Sequence, residues 1–189
     1  MMKMGPTTTG EIRSEDDALA QHLLSPGGVV RNRHAGSGAF GDVFFGTCLG
    51  QPCAIKTMKD VTTENVRSFR REILMTATLR HPNIVQFVGA CWGCELMCLV
   101  LEWCPKGSLA AMLEDSSNEL VTLEWHEPLL KIAVDIARGL AYLHSRSYFD
   151  EVEGELKSCI IHRDVKPDNV LITEFLSAKL TGIHAHALE

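Results

Sequence analysis

The chain has 189 residues, a net charge of −6 and a hydrophobic share of 46%, which suits one average domain or a larger one cut short, with apolar residues enough for a core. A mildly acidic balance with no basic stripe argues against nucleic acid or a membrane surface as partner. No apolar run reaches the ~18–20 residues of a membrane span. The opening "MMKMGPTTTGEIRSEDD" lacks the apolar stretch of a signal peptide, and Met2 stands where a myristoylation signal needs glycine.

Residues 1–27 read as a polar tail or linker, with room for a short helix at 15–24. From Val29, "VVRNRHAG", "DVFFGTCLG" and "QPCAIKTM" are rich in β-formers and are separated by Gly36/Gly38/Gly41 and then Gly50-Gln51-Pro52. That pattern predicts a meander of antiparallel strands. In "TTENVRSFRREILMTATLRH", Val66, Phe69, Ile73 and Leu79 fall near one helical face, with Arg67, Arg70 and Arg71 on the other. His81-Pro82-Asn83 ends that helix. Two more strand-like runs follow, "NIVQFVGACW" and "LMCLVLEWC", and Pro105-Lys106-Gly107 breaks the second.

From Ser108, an N-cap by residue type, the pattern turns helical: "SLAAMLED", then "LEWHEPLLKIAVDIARGLAYLHS" with Leu129, Ile132, Ala133, Ile136, Leu140 and Leu143 on one stripe. The acidic "YFDEVEGELKS" (148–158) reads as a surface loop, and "VLITEFLSAKLT" as two short strands around a turn. A β-rich half therefore precedes an α-rich half, an α+β arrangement switching near 104–108. No internal repeat is visible.

Seven irregularly spaced cysteines (48, 53, 91, 94, 98, 104 and 159) suit small buried hydrophobes in a reducing, cytoplasmic setting. Cys91-Trp92-Gly93-Cys94 is a CxxC, but no second ligand pair follows at zinc spacing, so a hairpin turn is the better reading.

Three segments carry chemistry. "GSGAFGDV" leads into β-formers rather than a helix, so it is a glycine hairpin whose N–H groups can meet phosphate oxygens, not a dinucleotide fingerprint. Lys56, inside the apolar "AIK", is either a snorkelling surface lysine or a charge held inside for a ligand. A held charge needs a partner. Glu72 lies beside the apolar helix face, whereas Glu64 sits at the helix start, where an acid is expected for dipole reasons. In "IIHRDVKPDNVL", Asp164 is a base candidate, Asn169 an oxygen ligand and Lys166 a mobile positive charge between them. A solvated charged loop is the alternative, though the apolar flanks bury both ends.

In this order and spacing the segments resemble a eukaryotic protein kinase domain. The resemblance runs from Val29 to Thr181, and "GSGAFGDVFFG" and "FRREILMTATLRHPNIVQFVGAC" look most like the tyrosine-kinase-like group of serine/threonine kinases. It implies a two-lobe fold: a β-rich N-lobe at 28–103, an incomplete helical C-lobe at 104–181, and an unrelated tail at 182–189. It also implies ATP and Mg²⁺ as cofactors and a protein serine or threonine as substrate. Gly36, Ser37, Gly38, Ala39, Phe40 and Gly41 would cover the phosphates, and Lys56, steadied by Glu72, would pair them. Val43, Ala54 and Leu171 would sandwich the adenine. Glu102 and Cys104 would offer it backbone hydrogen bonds, with Leu101 as gatekeeper. Asp164 would accept the substrate hydroxyl proton, Lys166 fits the serine/threonine pattern, and Asn169 would hold one Mg²⁺.

One position departs from the family. Where a metal-gripping Asp should follow Thr181, the chain has Gly182-Ile183-His184. His184 and His186 read as a tail rather than a metal pair. The expectation is an early-ending product of a working kinase, in contact with a full-length relative or an upstream regulator. The second function class is a non-catalytic nucleotide- or partner-binding module.

Overall fold

The computed structural model describes residues 18–38, 41–93, 96–114, 128–150 and 154–183. Ala39, Phe40, Cys94, His184 and His186 lie outside the described residues. So do 1–17, which include the start of the expected helix at 15–24, and 123–127, the start of the expected long helix.

Five antiparallel strands form the first sheet: β1 (Val29–Ser37), β2 (Gly41–Cys48), β3 (Gln51–Met58), β4 (Phe87–Trp92) and β5 (Met97–Glu102), in the order β1-β2-β3-β5-β4. The β2–β3 turn is Leu49-Gly50, at φ 49 and 80. Two successive left-handed residues are what a tight hairpin needs, and glycine supplies one without strain. The turn lies one residue earlier than expected because Gln51 and Pro52 already pair with Cys48 and Thr47.

Side chains alternate across a strand, so register decides which residues share a face. Val43 is opposite Lys56, Lys56 opposite Leu99, and Ala54 opposite Leu101. These residues look toward helix α1 (Thr63–Thr78), whose Phe69, Ile73 and Ala77 pack with Leu99 and Phe87. The opposite face buries Cys48, Cys53, Cys91 and Cys98 with Ile55 and Val100. These cysteines serve as small hydrophobes, and burial pushes the Cys98 thiol up to about 12. α1 begins at Thr62, whose hydroxyl accepts from Asn65 N–H at 3.2 Å.

Residues 18–25 are not the polar linker that composition suggested. Leu19 is 1% exposed within the α1–sheet core. Leu24 N–H donates to Ala90 O at 2.7 Å, and Ala90 N–H to His22 O at 2.9 Å. The segment thus occupies both main-chain groups of Ala90 on β4, an edge strand that would otherwise stand open there. Gly89 makes room for it, since a Cβ there would lie 2.5 Å from the Leu24 side chain.

The second half contains α2 (Leu109–Glu114) and α3 (Leu129–His144), then hairpins β6 (Tyr148–Asp150)–β7 (Glu155–Lys157) and β8 (Val170–Ile172)–β9 (Ala178–Leu180). Ser108 caps α2 as its type predicted, its hydroxyl accepting from Ala111 N–H at 3.2 Å. The expected surface loop at 148–158 is instead the β6–β7 hairpin, with Gly154 at φ 68 at its turn and Phe149 opposite Leu156. Charge obscured the alternation there. α3 packs on β9 with Ile132, Leu143, Ile172 and Leu180 buried together, and Met75 of α1 and Leu79 just past its end join the same cluster. The two halves meet in this cluster. The result is an α+β, two-lobe architecture. No helix among the described residues is long and apolar enough to cross a membrane.

Candidate active site

The glycine hairpin closes with Gly38 N–H donating to Gly41 O at 2.8 Å. Ser37 Oγ donates to Asp42 Oδ1 at 2.6 Å, and Lys59 Nζ reaches Gly38 O at 3.2 Å. The Ser37 hydroxyl, followed by the charge of Lys59, holds the Asp42 carboxyl below its ordinary value. The three glycines are not equivalent. A Cβ at Gly41 would lie 1.7 Å from Thr57 O, so the sheet itself demands glycine there. A Cβ at Gly36 would meet nothing within 4 Å, and at Gly38 only Gly41 O at 3.8 Å. Packing does not explain those two.

Lys56 Nζ lies 2.6 Å from Glu72 Oε1, with side chains 15% and 12% exposed. The β3 strand aims the lysine at α1, and the helix turns Glu72 back to it. Glu64 remains in the first turn of α1. Removing one member of a pair this enclosed strands the other, at a cost of about 3–5 kcal/mol where burial is complete and less here.

After β5 the chain crosses between the halves. Leu101 packs against the α1 core. With Glu72, Thr76, Gly182 and Ile183 it lines a cavity of about 20 Å³. Glu102 N–H donates to Gln86 O at 2.9 Å, and Cys104 O accepts from Gly107 N–H at 3.2 Å. Leu171 sits in β8, bridged to Ser108 below this crossing.

The loop before β8 is shaped by Arg163 at φ 64, a strained position for a long side chain. It places Asp164 where Lys166 Nζ is 2.9 Å from Oδ2 and Asn169 Nδ2 donates to Oδ2 at 2.8 Å and to the Asp164 carbonyl at 2.7 Å. The Lys166 hydrogen bond, then that of Asn169, holds the Asp164 carboxyl below its ordinary value. Asp164 in turn raises Lys166. Beneath them His162, 1% exposed, donates through Nε2 to Thr181 O at 2.8 Å.

Gly182 adjoins this loop at φ 70. A Cβ there would lie 2.9 Å from Asn169 Cγ and Oδ1, so the Asn169 amide leans into the space where a side chain at 182 would begin. A magnesium ion takes near-octahedral oxygen ligands, generally including one or two carboxylates. Here the place opposite Asn169 offers none. No group of three or more His, Cys, Asp or Glu that could hold a metal ion occurs among the described residues. The residues present do not fit the family's metal pair.

Three residues of this region carried no assigned role in the sequence reading. His162 shores up the loop from below. Asp135 of α3, 5% exposed, accepts from Ala178 N–H at 3.0 Å and pairs with Lys131 at 3.1 Å, holding β9. Its signal was available: a carboxylate on the same stripe as Ile132 and Ile136. Lys179 of β9 reaches Glu102, a contact with no local signature.

Comparison with known proteins agrees with this geometry. A family model described as "Protein tyrosine and serine/threonine kinase" matches residues 29–184. Serine/threonine-protein kinase STY17 of Arabidopsis thaliana is 34% identical over 139 residues, 72% of this chain and 22% of that protein. Wall-associated receptor kinase-like 1 of the same organism is 35% identical over 151 residues, 79% of this chain and 19% of that protein. "Probable serine/threonine-protein kinase drkA" of Dictyostelium discoideum is 32% identical over 156 residues, 82% of this chain and 22% of that protein. The chain spans only about a fifth of the length of these curated relatives.

Proposed function

The chain belongs to the protein tyrosine and serine/threonine kinase family, and from that membership we propose that it binds ATP between its two halves and directs the terminal phosphoryl group to a protein serine or threonine. The Lys56–Glu72 pair carries the reading. An ammonium held at 2.6 Å by a carboxylate from another element keeps its direction, as pairing with phosphates requires.

The other groups take roles around it. Gly36 and Gly38 lack a Cβ that packing would tolerate, which suits close approach of phosphate oxygens to the hairpin backbone. Val43 and Ala54 form the roof for the adenine and Leu171 the floor, with Leu101 at the back. Glu102 presents its carbonyl and Cys104 its N–H to the base edge, since the opposite groups go to Gln86 and Gly107. Asp164 accepts the proton of the attacking hydroxyl, and Lys166 beside it steadies the charge that develops on the phosphoryl oxygens. Asn169 acts as a clamp on Asp164 through its two hydrogen bonds. Serine or threonine is preferred to tyrosine because Lys166 follows Asp164 by two positions and the relatives named above include serine/threonine kinases. Thiols buried at Cys48, Cys53, Cys91, Cys98 and Cys104 support a reducing, cytoplasmic address.

The test pairs binding with transfer. ATP should raise the melting temperature of the full chain, and Lys56→Met should remove that shift. Asp164→Asn should keep the shift and lose phosphate transfer to a serine/threonine substrate. An unshifted wild-type chain would sink the ATP reading, and transfer surviving Asp164→Asn would remove that residue from its role.

A further inference from the structure

Phosphate charge must be met by something in any nucleotide site, and a kinase meets much of it with metal held by an Asn and an Asp. In this chain the second position is Gly182. Its φ of 70 and the closeness of its virtual Cβ to the Asn169 amide put Asn169 in the space that a carboxylate stem would need. Asn169 is itself committed, its Nδ2 shared between the Asp164 carbonyl and Oδ2 at 2.7 and 2.8 Å. The one neutral amide oxygen that remains lies 2.9 Å from where a Cβ at 182 would stand. Asp164 is no substitute, because the Oδ2 that Asn169 binds is also 2.9 Å from Lys166 Nζ, and a cation there opposes a second cation.

We propose that this chain binds ATP without requiring a divalent cation, its phosphate charge met chiefly by Lys56. The inference rests on the ATP reading given above. It gives Lys56 more of the binding than it carries where metal shares the charge. It also makes Gly182 the residue that sets cation dependence.

The experiment is calorimetric titration of the full 189-residue chain with ATP, once in excess EDTA and once in millimolar MgCl₂. The dissociation constants should agree within about two-fold, far under the ten-fold that 1.4 kcal/mol represents. Binding at least ten-fold weaker in EDTA overturns the inference and leaves the ATP site intact. No heat of binding in either buffer overturns the ATP reading, and the inference with it.

A second measurement does not depend on altering the protein. Mn²⁺ added to protein and ATP, followed by its electron paramagnetic resonance signal, should bind no more tightly than to ATP alone. Tighter binding in the ternary mixture overturns the inference. Gly182→Asp supplies the converse, since Asp is among the residues that tolerate a left-handed backbone and the Asn169 amide can swing aside. That variant should bind ATP about ten-fold more tightly with Mg²⁺ than with EDTA. A folded Gly182→Asp chain showing no cation dependence overturns the role given to Gly182.

Discussion

Lys179 Nζ of β9 lies 2.7 Å from Glu102 Oε1 at the end of β5, joining the two halves of the molecule on the side where the chain crosses between them. Glu102 Oε1 also accepts Gln86 N–H at 2.6 Å. One carboxylate oxygen therefore ties the crossing to β9 and to Gln86, the residue before β4. The pair is 15% and 27% exposed, so water screens it only partly.

Lys179→Met and Glu102→Gln, made singly and together, should show a coupling energy of about 1–2 kcal/mol in urea unfolding. Gln at 102 keeps an oxygen for Gln86 N–H, so the cycle isolates the ion pair. Coupling below about 0.3 kcal/mol would class the contact with ordinary surface pairs.

The glycine hairpin separates folding from binding. Gly41→Ala drives a Cβ into Thr57 O at 1.7 Å and should detach β2 from β3, with loss of the folded signal. Gly36→Ala meets nothing within 4 Å and should leave stability unchanged or raise it by about 0.4–1 kcal/mol through the unfolded chain. ATP affinity should nevertheless fall. Equal ATP affinity in Gly36→Ala would mean that the hairpin does not approach the phosphates.

These contrasts mark how far the sequence was readable. Strands and helices followed from period and turn residues. The meeting of Lys56 with Glu72 followed from a lysine in an apolar strand and a carboxylate beside an apolar helix face. What escaped was whatever depends on partners distant in sequence. Leu19 looks like part of a polar tail until β4 offers main-chain bonds to the residues that follow it. Phe149 and Leu156 alternate too briefly, among acids, to announce a hairpin. Glu102 and Lys179 stand 77 residues apart, and nothing near either one points to the other.

Close packing of α3 on β9 depends on Gly139. A Cβ there would sit 2.8 Å from Asn83 O and 2.9 Å from Leu180 Cδ1. Asn83 O is already occupied by Leu180 N–H at 2.9 Å, so the backbone cannot withdraw without breaking that bond. Gly139→Ala gains about 1 kcal/mol of helix propensity and should still be destabilising, by about 1–3 kcal/mol net. Urea unfolding measures it, and a stabilised variant would show that α3 has room to shift.

Acid should weaken the fold through two histidines built alike. His162 Nδ1 accepts Asp164 N–H at 3.4 Å, and His81 Nδ1 accepts Asn83 N–H at 3.1 Å. Both rings are therefore held neutral at the atom that would take the proton. Burial, first of all causes, lowers both from the ordinary histidine value of 6.5. Arg138 and then Lys179 add to the effect at His81, while the Thr181 carbonyl, and more weakly the Asp164 charge, oppose it at His162. With the folded values depressed, the unfolded chain binds more protons as pH falls below 6.5. Stability contributed by the neutral rings is thus complete above that value and is lost as pH falls toward the folded values. Melting temperature should be flat from pH ~8 to ~7 and then decline toward pH ~5, by about 2–4 °C for each kcal/mol lost in a chain of this size. His162→Gln removes one titrating ring, so its starting stability should be lower and its decline with acid shallower. An equally steep decline in that variant would assign the acid sensitivity to groups other than His162.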